Sequence, residues 1–280
     1  MTQTTRIAIP NKGRLSQPSI DLLRQAGLVF ESSSRALAVP VRNMPVEVLF
    51  VRADDIPELV HDNVVHYGIT GLDLVAEACF DVSLIAELGY GRCDLTVAVD
   101  NASTIEAIDE FSGLRVATSH PEIVGRFFTD KNIDVTTIPL KGSVEVAPKL
   151  GIADAIVDLV SSGSTLMMNG LRPIATVLES QAALIASGPD VDSPIPTMVK
   201  AVVAARRKRY VLMNAPIEAL DEIERIIPGA DAPTIVPLSQ TDKYAVHSVV
   251  EADELWNVLP RLESAGASAI LVLPINQMIP

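Results

Sequence analysis

Short runs of Val, Ile and Leu alternate with amphipathic stretches along most of this chain, and no other feature limits its fold as strongly. Arg6–Ile9 is predicted as a strand closed by Pro10, Val46–Val51 as a second and Tyr67–Thr70 as a third. Further apolar runs lie near 95–99, 114–118, 133–138, 154–160 and 172–178. Helical segments fall between most of them. Ser16 is a candidate N-cap ahead of the stripe Leu22, Leu23 and Ala26, which Gly27 stops. Asp54-Asp55-Ile56-Pro57 reads as a helix start with proline in the first turn, and Gly71 opens another helix. Such alternation predicts α/β architecture with largely parallel sheets.

A turn-rich break at Ser187–Pro196 and a helix near 197–208 follow. The helix ends in Arg206-Arg207-Lys208-Arg209, charges that suit a helix C-terminus. The pattern then changes. Tyr210–Asn214, Thr234–Pro237, Tyr244–Val250 and Ser268–Leu273 read as strands, with helices at Pro216–Ile227 and Ala252–Ala265. The order β-α-β-β-α-β is the ferredoxin-like signature. It predicts a separate domain over 208–280, and a chain of 280 residues has room for more than one domain.

The net charge of −13 argues against nucleic acid as the main partner. It does not exclude a phosphorylated ligand, because screening over about 8 Å makes local cations decisive. No apolar run reaches the roughly 18 residues of a membrane helix. The opening MTQTTRIAIPNKGRL reads as loop and strand rather than a secretory leader. Two cysteines, Cys79 and Cys93, form no framework, and a reducing cytoplasm is the expected setting. His61, His66, His120 and His247 lack metal-ligand spacing, and no P-loop or dinucleotide fingerprint occurs.

The stretch Glu145–Leu166 carries the chemistry. Asp154 and Asp158, four apart in a strand, share a face. The strand then enters Ser161-Ser162-Gly163-Ser164-Thr165, which opens a helix. Unpaired N–H groups at a helix start suit a phosphate, hydroxyls add donors, and Gly163 permits close approach. Hydrogen bonds to a charged phosphate contribute roughly 1.5–3 kcal/mol each, so such a loop anchors a sugar phosphate without lysine. An ordinary strand–turn–helix with a serine cap is the alternative. Other strands are expected to end at the same edge. Lys12, Gly13 and Arg14 follow the first, a cluster suited to polyphosphate. Arg52 and Asp54 follow the second, where Asp54 could instead cap a helix. Gly71 and Asp73 follow the third. Cys93 reads as a packing residue.

The pattern Glu145-x5-Gly151-x-Ala153-x2-Ile156-x-Asp158-Leu159-x2-Ser162-Gly163-x-Thr165-Leu166 resembles the signature of the ATP phosphoribosyltransferase family. The resemblance extends to Asn11–Leu15, Arg52–Pro57, Gly68–Asp73, Leu88–Cys93, Ala232–Leu238 and Gly266–Leu271, and so covers essentially the whole chain.

It implies a catalytic part of two lobes, similar to type II periplasmic binding proteins, from 1–88 with 178–207 and from 89–177. It implies a ferredoxin-like regulatory domain at 208–280, as in the family's long form. It implies transfer of a phosphoribosyl group from 5-phosphoribosyl 1-diphosphate to N1 of ATP, the first step of histidine biosynthesis. The donor would lie on Asp154, Asp158, Ser161, Ser162, Gly163, Ser164 and Thr165, with Asp154 by the ribose hydroxyls. Asp158 is left open between ligand contact and support of the strand. ATP or diphosphate would lie on Lys12, Gly13, Arg14, Arg52, Asp54, Gly71 and Asp73, and Lys12, Arg14 and Asp154 would be catalytic. Mg²⁺ is implied, held mainly by substrate phosphates rather than by a protein metal site. Histidine would inhibit at Asn214, Thr234 and Ala269, AMP at the active site, and dimers would assemble into hexamers. Two competitors remain at this stage: a two-lobed ligand-binding module without catalysis, and a phosphoribosyltransferase acting on a free base.

Overall fold

The computed structural model describes all residues except 1–3, 32–35, 162, 189–192, 228, 230, 231, 240, 241 and 280. The described chain runs β1 (Thr5–Pro10), α1 (Ser16–Gln25), β2 (Ala38–Pro40), β3 (Val46–Val51), α2 (Ile56–His61), β4 (Tyr67–Gly71), α3 (Leu72–Ala78) and β5 (Ser83–Glu87). It continues with β6 (Cys93–Asp100), β7 (Arg115–Thr118), α4 (Pro121–Asp130), β8 (Thr136–Pro139), β9 (Ala155–Val160), α5 (Ser164–Met168), β10 (Leu171–Ser180) and β11 (Ala182–Ala186). The last part holds α6 (Ile195–Arg206), β12 (Lys208–Pro216), α7 (Leu220–Ile226), β13 (Thr234–Pro237), β14 (Lys243–Glu251), α8 (Leu255–Ser264) and β15 (Ser268–Pro274).

Two sheets share one topology. The first is ordered β2-β3-β1-β4-β11-β5 and the second β10-β6-β9-β7-β8. In each, the three strands paired in parallel stand in the order second, first, third: β3-β1-β4 and β8-β7-β9. A strand arriving from the other sheet comes next, β11 or β6, and then the last strand. This double arrangement is that of two-lobed type II binding proteins. The sheets are not largely parallel. β1 pairs in parallel with β3 and β4, and β7 with β8 and β9, but β2–β3, β4–β11, β11–β5, β10–β6 and β6–β9 are antiparallel. β2–β3 is a hairpin; for the other pairs the reason is the crossover. β6 and β11 each enter a sheet from the opposite side to its βαβ strands, so they run against their neighbours. The second core is Leu95, Val97, Val99, Phe111, Val116, Val124, Phe128 and Val157, all nearly inaccessible.

The third sheet, β13-β14-β12-β15, is antiparallel throughout and is the ferredoxin-like order. Its strands alternate: Val211, Met213 and Ala215 of β12 face Ile223, Ile226, Val258 and Leu262 of α7 and α8. The chain divides into two compact units, 1–21 with 28–193, and 22–27 with 194–280. The expected domain at 208 and the compact unit at 194 differ by α6. No helix among the described residues is long and apolar enough to cross a membrane.

Candidate active site

The parallel strands β1, β3 and β4 bring their carboxyl ends to one edge of the first sheet, the edge where open α/β sheets bind ligands. β1 opens into a loop with Lys12 and Arg14 exposed. After β3, Arg52 donates to Asp54 from Nε to Oδ1 at 3.1 Å and from Nη2 to Oδ2 at 2.9 Å. This bond, with a smaller pull from Lys12, holds the Asp54 carboxyl below its ordinary range. Asp54 is therefore a partner of Arg52 and not a helix cap; the N-cap of α2 is Asp55.

After β4, Asp73 departs from expectation. It is 2% exposed and held by side chains of the chain itself. Its Oδ1 accepts the Ser180 hydroxyl at 2.6 Å, and its own backbone N–H donates to Ser180 Oγ at 3.0 Å. Nε2 of His120, itself buried, stands 3.5 Å from Oδ2. Burial pushes the Asp73 carboxyl up, but His120, Ser180 and then Arg14 outweigh it and hold the group below its ordinary range. Gly71 serves this arrangement directly: a Cβ there would lie 2.1 Å from Asp73 Oδ1.

In the second sheet, β9 runs into the predicted phosphate loop. Gly163 takes φ +71° at the N-cap of α5, a left-handed conformation that favours glycine. Leu166 is buried and pins the short helix, while Ser161, Ser164 and Thr165 are exposed. Ser162 lies outside the described residues. Asp158, on β9 close to the loop, accepts the Leu159 N–H at 2.8 Å. Burial raises its carboxyl above the ordinary range, and the charge of Glu145 adds to the rise.

Asp154 also departs from expectation. It precedes β9 and so lies at the opposite edge of the sheet, roughly 20 Å along the strand from the loop. Its carboxylate receives Arg115 Nη2 at 2.8 Å, Nε at 3.2 Å and the backbone N–H at 2.9 Å. Those bonds hold the Asp154 carboxyl below its ordinary range. A strand has direction, so two residues on one face need not serve one site. Asp158 is the acid at the loop's end.

The two sheets meet through these loops. Arg14 Nη2 donates to Cys93 Sγ at 2.8 Å, and Nη1 reaches Ser161 Oγ at 3.5 Å. Glu77 of α3 accepts the N–H groups of Glu122 and Ile123, both at 3.0 Å, and so caps α4. Arg126 of α4 donates in return to the Ala76 carbonyl. Lys12, Arg14 and Arg52 stand on one sheet and a hydroxyl-rich loop on the other, groups whose chemistry suits polyanions, and Arg14 bridges them. Among the described residues no group of three His, Cys, Asp or Glu side chains gathers as a metal site.

His120, Ser180, Arg115 and the bonding of Cys93 were not foreseen. His120 had a signal: Thr118-Ser119-His120-Pro121 ends a strand and starts a helix, as the predicted loops do. Ser180 and Cys93 had none, because their proximity arises from the β10–β6 pairing.

In the C-terminal sheet, Asn214 pairs with Ser268 across a bulge that contains Ala269, whose φ is +51°. Thr234 is exposed on β13, opposite His247 of β14. Asn214 and Ala269 are thus neighbours, and Thr234 lies across β14 from them.

Residues 52–204 match the HisG family, described as ATP phosphoribosyltransferase, and residues 205–277 match the HisG C-terminal domain. An ATP phosphoribosyltransferase of Methanococcoides burtonii is 44% identical over 98% of this chain and 99% of the relative. One from Gemmatimonas aurantiaca is 40% identical over 98% of this chain and 99% of its own. Among solved structures, an ATP phosphoribosyl transferase (HisG:HisZ) complex from Thermotoga maritima aligns with TM-score 0.57 at 27% identity, over 65% of this chain and 87% of that one. With signature, double-sheet topology and full-length likeness in agreement, the chain belongs to the ATP phosphoribosyltransferase family.

Proposed function

We propose that this chain transfers the 5-phosphoribosyl group of 5-phosphoribosyl 1-diphosphate to N1 of ATP, yielding N1-(5-phospho-β-D-ribosyl)-ATP and diphosphate. The observation that carries this reading is Arg14 reaching Ser161, which joins the basic loop of one sheet to the hydroxyl loop of the other. Full-length likeness to named ATP phosphoribosyltransferases supports it.

In this reading Ser161–Thr165 hold the donor's 5′-phosphate through hydroxyls and backbone N–H groups. Asp158, with Glu145 beside it, faces the ribose hydroxyls in place of Asp154. Lys12, Arg14 and Arg52 face the triphosphate and the leaving diphosphate. The N1–C1′ bond forms as the C1′–O bond breaks, and the electron pair departs with diphosphate. The chain contributes placement, where proximity supplies roughly 7–11 kcal/mol, and cations aimed at the departing charge. Asp158 and Glu145 are hard oxygen donors of the kind Mg²⁺ accepts. Mg²⁺, held mainly by substrate phosphates, would offset the charge of the diphosphate.

Residues 1–88 with 178–207 and 89–177 form the two catalytic lobes, and 208–280 the regulatory domain that takes histidine near Asn214, Thr234 and Ala269. AMP competes at the nucleotide side, the enzyme assembles from dimers into hexamers, and it works in the cytoplasm. A continuous absorbance assay with ATP, the donor and Mg²⁺, paired with diphosphate release, tests the activity. Folded protein that releases no diphosphate would sink the proposal.

A further inference from the structure

Asp73 is the one acidic side chain among the described residues that is buried in the fold, and the transfer reaction proposed above gives it no task. Its surroundings do. Ser180, which fixes Asp73 Oδ1 at 2.6 Å, is paired across the sheet with Cys93, and Cys93 Sγ receives Arg14 Nη2 at 2.8 Å. A continuous path therefore runs from α3 through the end of β10 and the start of β6 to the Arg14 guanidinium. The charge of Arg14 is felt at Asp73, and that of Asp73 at Cys93.

We infer that Asp73 is a positioning residue: with Ser180 and Cys93 it fixes the Arg14 guanidinium toward the hydroxyl loop. An exposed arginine on a glycine-bearing loop otherwise samples many rotamers, and ordering it costs binding energy. A buried carboxylate behind it, itself locked by a hydroxyl and facing a buried imidazole, gives the cation one preferred direction before substrate arrives. This supports a preorganised cation, the form in which electrostatic stabilisation is most effective. Asp73 touches no substrate in this assignment; it acts through Arg14. The inference rests on the reading of Arg14 as a cation facing the donor.

A double-mutant cycle on the full chain tests it, with kcat/KM for 5-phosphoribosyl 1-diphosphate as the readout and thermal unfolding as the check on folding. Asp73→Asn is expected to lower kcat/KM for the donor by up to roughly 100-fold. In the Arg14→Ala background the same change is expected to have almost no further effect. A merely structural role would multiply the two losses, and that result overturns the inference. Full activity in Arg14→Ala alone overturns instead the assignment of Arg14 in the proposed function, and the inference falls with it. Should Asp73→Asn fail to fold, Ser180→Ala removes the donor to Asp73 without changing charge. The same cycle is then read with it: silence in the Arg14→Ala background supports the inference, and multiplied losses overturn it.

Discussion

Thr165 and Asp158 stand on either side of one question, how β9 and its loop hold a sugar phosphate. Thr165→Ala removes one donor from an exposed phosphate loop, so the KM for 5-phosphoribosyl 1-diphosphate should rise roughly 10-fold, the effect of losing one charged hydrogen bond. The KM for ATP should change far less, and equal rises would count against the loop. Asp158 carries a carboxyl raised by burial. A folded value above the unfolded one means that stability falls as pH rises through that window. Asp158→Asn should therefore raise the melting temperature at neutral pH while lowering activity. Asp154 has the opposite sign. Its carboxyl is held low by Arg115, so its stabilisation is present above about pH 4 and is lost as pH falls through the depressed folded value. Both partners are over a third exposed, so the pair contributes little. Asp154→Asn should leave both KM values unchanged and flatten only the acid limb of a stability–pH curve. A marked rise in either KM would restore Asp154 to the site. The signature that carries the family resemblance already distinguished these residues: it specifies Asp158 and leaves 154 open.

At the scale of elements, a strand followed by a helix is a local pattern, and β3 and β13 match their predicted bounds. Strands that depend on partners were missed: β2, β5 and β11 have no clear alternation and gain their identity from pairing. The same dependence produced the error in sheet direction, since β6 and β11 run antiparallel only because the chain crosses between sheets. Element packing also explains Gly68. A Cβ on Gly68 would lie 2.4 Å from Ile56 Cγ2 and 2.9 Å from Val60 Cγ2, where α2 closes onto β4. Both side chains are fully buried and have nowhere to move. Gly68→Ala should cost about 1–3 kcal/mol by overpacking, measured by chemical denaturation. An unchanged midpoint would mean that α2 shifts freely.

At the scale of the whole molecule, the ferredoxin-like sheet is a self-contained core built on Val211, Met213, Ile223 and Leu262. Truncation after Arg207 should abolish inhibition by histidine, checked by titrating histidine against the assay; retained inhibition would place the effector elsewhere. What the sequence by itself determined is what is local: strand and helix periods, the loop chemistry of 161–165, the basic loop at Lys12 and Arg14, and the β-α-β-β-α-β order. Each needs only neighbouring residues to be read. What only the tertiary structure decided is direction and company. It ran β6 and β11 against their neighbours, tied Asp154 to Arg115, buried Asp73 against Ser180 and His120, and set Arg14 against Cys93 and Ser161. Those facts depend on contacts between residues as far apart as 147 positions. No spacing along the chain encodes them, because they arise from which strand lies beside which and from the edge at which each one ends.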